Sequence, residues 1–271
     1  MEQKHYLFKT QGYYDKIKSI YRKKSLNDIW HKHGSPKHKS GNCTQCFQDW
    51  ESSTNTNKSS FVDFGSFYLQ NCKSIDEVYA LAEELKSHFQ TVKDNFNQQE
   101  LNEILNIENI VDLIILHSVV ETYLGFAVEN EVKNYLLSKN KNVFKDVTLD
   151  TEYSIDLLVE TNTPNYFAGI QVKPISFFLG NENKDNTLRI DRNKFFENVK
   201  KIKEKYKTIE NVYFAIYKIE KETGQILFYY TKNNDIFHYF SNHDDMLKND
   251  WQSIFYDKTK WKTISNKFEL V

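Results

Sequence analysis

Two short apolar segments, residues 153–160 and 166–174, constrain the fold of this chain most strongly. Each has the length and composition of one β-strand, and a short turn-like segment separates them, so they predict two adjacent strands. Because side chains alternate across a strand, Gln171 and Lys173 share one face, and their neighbours enter the opposite layer. With Asp156 on the first strand, a carboxylate, an amide oxygen and an ammonium group converge at one edge of a small sheet.

These three groups are suited to cleaving a phosphodiester. Carboxylate and amide oxygens are hard ligands that bind Mg²⁺, and a lysine beside them steadies an attacking water and the negative charge that develops at phosphorus. Polar side chains are costly among apolar core strands, so their presence needs a reason. The alternative is an ordinary half-exposed hairpin, on which an Asp and a Lys are also common.

The quoted residues, Ser154-Ile-Asp156 and Gln171-Val-Lys173, resemble the motif of the PD-(D/E)xK nuclease superfamily. Within it, the chain is similar to type II restriction endonucleases that carry Gln in place of the motif acid. The resemblance covers roughly residues 117–230, where a helix bearing Glu precedes the strands and a basic helix follows them. It implies an α/β fold with a mixed central β-sheet flanked by helices, a restriction-endonuclease-like core, at residues 107–231.

The resemblance also implies a magnesium site. Asp156, Gln171, the main-chain carbonyl of Val172 and a helix glutamate would hold the metal, and Lys173 would act on the attacking water. We expect the glutamate to be Glu129, because apolar residues at helical spacing anchor its face to the core, with Glu121 as the substitute. Gln171 is neutral, so it binds Mg²⁺ more weakly than a carboxylate, which makes the helix glutamate more valuable.

The N-terminal region carries a separate basic signal. The net charge is −1, yet residues 1–40 hold ten Lys and Arg against three Asp and Glu. We predict helices to about residue 30 and an irregular polar segment over residues 31–58, which form part of a DNA-binding elaboration over residues 1–100. The predicted DNA contacts are Lys23, Lys24, Ser35, Lys37, His38, Lys39 and Asn42, in which the lysines bind phosphates and the others read base edges. A solvated helix face is the competing interpretation.

A Cys-x-x-Cys pair lies in the irregular segment. Cys43 and Cys46 are close to His31, His33 and His38, a set compatible with a tetrahedral structural zinc site made of both cysteines and two of the histidines. No second Cys-x-x-Cys or spaced His pair completes a standard finger, so two reduced thiols in a loop are the alternative.

Hydrophobic periodicity predicts the remaining elements. We expect helices at residues 74–89, 107–138 and 192–207, strands at residues 211–217 and 225–230, and a continuation of the motif strand through residues 177–179. Residues 232–271 are expected to be mostly helical. No Pro- and Gly-rich linker interrupts the chain, which indicates a single domain over residues 1–271.

Taken with the resemblance, these features predict a Mg²⁺-dependent, sequence-specific double-stranded DNA endonuclease of the type II restriction class, as a homodimer. A non-catalytic nucleic-acid-binding module on a nuclease scaffold and a repair or junction-resolving nuclease are the alternatives. We expect a cytoplasmic protein without membrane contact. The apolar stretch at residues 110–128 is interrupted by Asp112, His117 and Glu121, and the N-terminus lacks the apolar core of a signal peptide.

Overall fold

The computed structural model describes residues 6–34, 43–53, 60–179, 186–220, 225–231, 233–242, 245–246, 248 and 251–264. Contacts divide the chain into two compact units, with the boundary between Phe126 and Ala127. This boundary falls inside a helix, and not between residues 100 and 107, where the predicted N-terminal elaboration gives way to the predicted core. The single-domain organisation stays a prediction.

The described part of the first unit is helical. Its helices are α1 (Gln11–Tyr21), α2 (Lys24–Ile29), α3 (Cys43–Ser52), α4 (Phe61–Asn71), α5 (Ile75–Gln90), α6 (Gln98–Ile104) and α7 (Ile107–Ile115), and π-helical turns follow α2 and α7. The predicted helix at residues 74–89 is confirmed as α5. Its first turn has a capping box, in which the Ser74 side chain accepts from the Glu77 N–H and the Glu77 carboxylate accepts from the Ser74 N–H.

The prediction of an irregular chain over residues 31–58 is wrong at α3. Cys46, Phe47 and Trp50 are buried on one face of this helix, and the Phe47 ring stacks on Phe126 with 4.2 Å between centroids. Because polar residues lie between and around these three, the apolar stripe is not evident from the sequence. The burial of one apolar stripe, more than intrinsic propensity, stabilises such a helix.

A mixed α/β arrangement is confirmed in the second unit, where the described residues form one sheet of seven strands. In order along the sheet they are β1 (Val143–Phe144), β2 (Leu157–Glu160), β3 (Phe167–Pro174), β4 (Ile209–Ile219), β5 (Ile226–Tyr229) and β7 (Trp261–Lys262), and β6 (Phe237–Tyr239) also pairs with β4. Among the strand pairs of the described residues, β3 and β4 are parallel and the others are antiparallel. Helix α11 (Asn186–Lys205) connects them, as a parallel crossover requires.

Helices cover both faces of this sheet. Val128, Val132 and Leu136 of α8 (Glu121–Ser138) pack on one face against residues such as Ile170 and Val172. On the other face, a second apolar cluster joins α11 to β4; it contains Phe195, Ile202, Val212, Phe214 and Ile216. Polar side chains of β3 that point to the α11 face are therefore surrounded by a packed layer.

Two further predictions about elements are wrong. Residues 177–179 do not continue β3, because Pro174 ends the strand and the chain turns into the short helix α10 (Ser176–Leu179), which buries Phe178. Residues 232–271 are not mostly helical where they are described. Besides α12 (Trp251–Tyr256) and a 3₁₀ turn at Lys258–Lys260, they contribute β6 and β7, which extend the sheet through pairing with β4 and β5.

Residues 107–138 form the long helical segment that the sequence predicts, as α7, a π-helical turn at Leu116–Val120, and α8. In length and composition this segment is sufficient to cross a membrane, contrary to the expectation from its three polar residues. Because 78% of its most apolar window is buried inside the protein, the segment is only weak evidence for a membrane helix.

Candidate active site

The strand register brings Asp156 and Gln171 together. Helix α9 (Val147–Tyr153) ends at Ser154, whose left-handed conformation (φ 58°) turns the chain toward β2. Asp156 precedes this strand, and its N–H donates to the Ile170 carbonyl at 3.0 Å. On the other side of β3, Gln171 and Lys173 pair with Phe214 and Ile216 of β4. The predicted shared face of Gln171 and Lys173 is therefore confirmed, and it is the face that α11 covers.

Asp156 is held by two hydrogen bonds to a single oxygen. Gln171 Nε2 donates to Asp156 Oδ2 at 2.7 Å, and the Val172 N–H donates to the same atom at 2.6 Å. Within the described part of the chain, Oδ1 of this carboxyl accepts no hydrogen bond. Asp156 is 8% exposed and Gln171 is fully buried.

Gln171 has a buried oxygen without a partner. Its Oε1 makes no hydrogen bond in the described structure, and the cost of such an atom is about 1–3 kcal/mol. When Asp156 is ionised, turning the amide over would place Oε1 against the Asp156 carboxylate and lose the 2.7 Å bond. The carboxylate therefore fixes the amide orientation and leaves one oxygen for a ligand.

Burial and neighbouring charges raise the pKa of Asp156 to about 7. Burial is the largest cause, and the negative charges of Glu129 and Asp150 act in the same direction. The positive charge of Lys173 and the Val172 N–H oppose the rise. The site thus contains three carboxyl groups and two lysines, Lys173 and Lys145, so it keeps an excess of negative charge that a cation would stabilise.

The negative charge of Glu129 acts on Asp156, and its role as a metal ligand stays a prediction. Glu129 forms an ion pair with Lys145, with 3.0 Å between Oε2 and Nζ, and burial raises its pKa, while Lys145 and Lys173 oppose the rise. The alternative glutamate, Glu121, belongs to the first unit and already pairs with Lys18 and His117. Burial would raise the pKa of Glu121, but His117 and Lys18 outweigh burial and lower that pKa to about 2.

Lys173 is half-buried, and its Nζ lies 6.0 Å from the centroid of the Phe177 ring. Within the described residues it forms no ion pair, although its charge lowers the pKa of both Asp156 and Glu129. An ammonium group near two carboxyls, yet paired with neither, is available to a third group such as a phosphate or a water.

The donor set fits a hard divalent cation in part. The Asp156 carboxylate and the orphan Gln171 Oε1 belong to two hydrogen-bonded side chains, and Mg²⁺ is commonly held by one or two protein carboxylates with water completing the shell. Val172 contacts Asp156 through its N–H and not through its carbonyl, and the carbonyl as a metal ligand stays a prediction. No group of three His, Cys, Asp or Glu side chains arranged for a metal ion occurs among the described residues.

Sequence reasoning missed Asp150 at this site. It lies on α9, six positions before Asp156, and its charge raises the pKa of both Asp156 and Glu129. The sequence feature that could have indicated Asp150 is its position as a second acidic residue just upstream of Asp156.

The predicted DNA contacts are only partly described. Lys23 is exposed and forms an ion pair with Glu100, which neutralises part of its charge. Lys24 is the first residue of α2. The other predicted contacts, Ser35, Lys37, His38, Lys39 and Asn42, lie outside the described residues.

The structure contains a disulfide where the sequence indicated a zinc site or reduced thiols. Cys46 is bonded to Cys72, with 2.00 Å between the two sulfurs, so Cys46 has no thiolate for zinc in this form of the chain. Cys43 is outside the disulfide, and His33 stacks on His88 with 3.6 Å between ring centroids. His38 lies outside the described residues.

Comparison with known proteins gives no match to any protein-family profile, curated protein or solved structure. The resemblance to the PD-(D/E)xK nucleases therefore depends on the residues of the site alone.

Proposed function

We propose that this protein is a Mg²⁺-dependent DNA endonuclease of the type II restriction class, with a QxK variant of the PD-(D/E)xK site on a restriction-endonuclease-like core. The observation that supports this proposal most directly is the buried Asp156–Gln171 pair, which leaves Gln171 Oε1 without a hydrogen-bond partner. The Lys173 ammonium group is close enough for its positive charge to oppose the rise in the pKa of Asp156. The sheet order supports the proposal, since two antiparallel strands and a helical crossover precede a parallel strand.

Each residue has a separate task in this proposal. Asp156, Gln171 and Glu129 would hold Mg²⁺, which supplies positive charge at the leaving oxygen. Lys173 donates hydrogen bonds to the attacking water and to the phosphate oxygens, where negative charge develops. Gln171 Nε2 and the Val172 N–H keep the Asp156 carboxylate in place before substrate arrives.

The neutral Gln171 supports the second candidate, a non-catalytic DNA-binding module. With an amide in place of an acid, the site has one negative charge fewer to attract a cation. A plasmid that contains many sequences distinguishes the candidates when Mg²⁺ is titrated. A restriction enzyme gives discrete fragments, a repair or junction-resolving nuclease gives nonspecific or branched-substrate nicking, and the binding module gives a mobility shift without cleavage.

The residue-level test compares two lysines of similar burial. Lys173→Ala should lower the cleavage rate by about 10²–10³-fold, since it removes one preorganised electrostatic contact. Lys86→Ala, at a half-buried position on α5, should cleave at the wild-type rate. DNA binding is measured with Ca²⁺ in place of Mg²⁺ to show that both variants still bind. A Lys173→Ala protein that cleaves as fast as wild type would refute the site.

A further inference from the structure

The Glu129 carboxylate already has a cation of the protein as its partner. Lys145 Nζ lies 3.0 Å from Glu129 Oε2, and Glu129 is the helix glutamate that we expect to bind the metal. Both residues belong to the second unit, with Glu129 on α8 and Lys145 in the short connection between β1 and α9. The carboxylate that α8 would supply to the metal is therefore neutralised by a lysine.

This ion pair competes with a metal for Glu129. Asp156 and the buried, orphan Gln171 Oε1 are ready to accept a cation, yet in the part of the chain that the structure describes no three acidic, His or Cys side chains are arranged around one point. A divalent cation shared by Asp156 and Glu129 would lie close to the lysine ammonium group, and two positive charges at one carboxylate repel each other. Metal binding at Glu129 therefore requires Lys145 to move away.

Lys145 is able to exchange one partner for another. Its side chain is 34% exposed, compared with 18% for Glu129, so the lysine extends from solvent to a largely buried carboxylate. A lysine is a compact charge on a flexible four-carbon stem, and the phosphates of DNA are anions that lysines bind. When a phosphate removes the lysine, the carboxylate is left buried and unpaired, a state that a divalent cation stabilises.

We propose that Lys145 neutralises Glu129 in the free protein, and that Mg²⁺ binds Glu129 when a DNA phosphate binds Lys145. This inference depends on the proposed DNA function and adds to it a reason why substrate and metal promote each other's binding. Either ligand alone must break the ion pair between Lys145 and Glu129, whereas both together break it once. Ligands that share one cost bind cooperatively, and the coupling is equal in both directions.

The first experiment measures Mn²⁺ binding to the DNA-free protein at pH 8, from the loss of the electron paramagnetic resonance signal of the free ion. Mn²⁺ takes the same oxygen ligands as Mg²⁺. Lys145→Met, which keeps an apolar stem without the charge, should bind Mn²⁺ about tenfold more tightly than wild type. In a protein that also contains Glu129→Gln, Lys145→Met should give no gain, because the carboxylate that it uncovers is absent.

Lys141→Met is the matched control. Lys141 precedes β1, and its Nζ donates to the Asn162 amide oxygen at 3.2 Å, so this substitution removes one lysine of the same segment without uncovering a carboxylate. It should bind Mn²⁺ as wild type does. Thermal melting confirms that the variants are folded, and Lys145→Gln replaces Lys145→Met if the latter is unfolded.

The second experiment measures the affinity for a fluorescently labelled duplex of mixed sequence by anisotropy, in a chelator and in Ca²⁺, which replaces Mg²⁺ to block cleavage. Ca²⁺ should tighten DNA binding by wild type and by Lys141→Met. The ratio of the dissociation constants in chelator and in Ca²⁺ should be about tenfold smaller in Lys145→Met, because no ion pair remains for the two ligands to share.

The outcomes separate this proposal from the nuclease itself. If Lys145→Met binds Mn²⁺ no more tightly than wild type, or shows the wild-type enhancement by Ca²⁺, the exchange of Lys145 is refuted and the nuclease is not. If no variant binds Mn²⁺, both proposals are wrong. If both binding experiments give the expected results but plasmid is not cleaved, the nuclease is refuted and the exchange of Lys145 belongs to a DNA-binding module.

Discussion

At the scale of single residues, the raised pKa of Asp156 makes stability depend on pH. Between the ordinary value of 3.8 and the folded value of about 7, the folded protein holds a proton that the unfolded chain has released. The unfolded state then binds fewer protons, so the free energy of unfolding falls as pH rises through this window. Above it, the folded protein bears the full cost of a buried carboxylate.

The Asp156→Asn variant should therefore gain stability relative to wild type as pH rises from 5 to 8, by roughly 2–4 kcal/mol in a chelator. Urea unfolding at both pH values measures the change. Asp245→Asn is the control, because hydrogen bonds from Ser241 hold the pKa of Asp245 below its ordinary value and leave it ionised throughout this range. Millimolar Mg²⁺ should stabilise wild type at pH 8 and leave Asp156→Asn unaffected. If the two proteins differ in free energy of unfolding by the same amount at pH 5 and pH 8, the pKa of Asp156 is not raised.

A second residue-scale prediction concerns Gln171→Glu. The new carboxylate should lower the Mg²⁺ concentration needed for half-maximal cleavage while activity persists, since hard cations prefer charged oxygens. In a chelator at pH 8 the same variant should be less stable than wild type, because it replaces the donor to Asp156 Oδ2 with a like charge. A folded variant that is inactive at every Mg²⁺ concentration would show that the Nε2 donor is itself required.

The local sequence could predict the pairing of Asp156 with Gln171, but not which atoms of the Gln171 amide form hydrogen bonds. Strand alternation predicts the shared face of Gln171 and Lys173, and the structure confirms it. The orphan Oε1 of Gln171 depends on which way the amide turns, and that follows from the 2.7 Å contact, which only three-dimensional packing shows.

At the scale of elements, the N-terminal segment and α7 are joined by a buried carboxylate. Asp112 is 1% exposed; its Oδ1 accepts from the Tyr6 hydroxyl and Lys9 Nζ, and its Oδ2 accepts from the Tyr13 hydroxyl at 2.7 Å. Tyr13→Phe removes the only donor to Oδ2 among the described residues. We expect a loss of about 1.5–3 kcal/mol in the free energy of unfolding, because the acceptor is charged and buried.

Tyr79→Phe is the matched control for this element. Its hydroxyl donates to the exposed Glu108 carboxylate at 2.8 Å, so its loss should change stability by about 0.5 kcal/mol or less. Urea unfolding of both variants measures the difference. Equal effects of the two substitutions would mean that the Asp112 contacts do not anchor the N-terminal segment.

Elements with strong hydrophobic periodicity could be predicted from the sequence, and elements stabilised by contacts between residues far apart in sequence could not. Helix α5 has both an apolar stripe and a capping box in its sequence, which act within one turn. Helix α10 is as apolar as the strand before it and resembles its continuation. Pro174 ends that strand, and the packing of Phe178 against Phe214, 5.5 Å between centroids, stabilises the helix. Strands β6 and β7 are three and two residues long, respectively, and they form only through pairing with β4 and β5.

At the scale of the whole molecule, the covalent connection between Cys46 and Cys72 lies entirely within the first unit. The pairing could not be read from three cysteines, since connectivity depends on which side chains meet in the fold. Closing a loop with a sequence separation of 26 stabilises a folded chain by typically about 2–4 kcal/mol.

We therefore expect the purified, oxidised protein to show one reactive thiol when it is denatured without reductant, and three after reduction. Cys43→Ser should lower the first count to zero, and Cys72→Ser should raise it to two. Reductant should lower the melting temperature of wild type and of Cys43→Ser, yet leave Cys72→Ser unchanged, because only the first two contain the disulfide. Three reactive thiols in the unreduced protein, with zinc found by elemental analysis, would restore the metal site that the sequence alone indicated at Cys43 and Cys46.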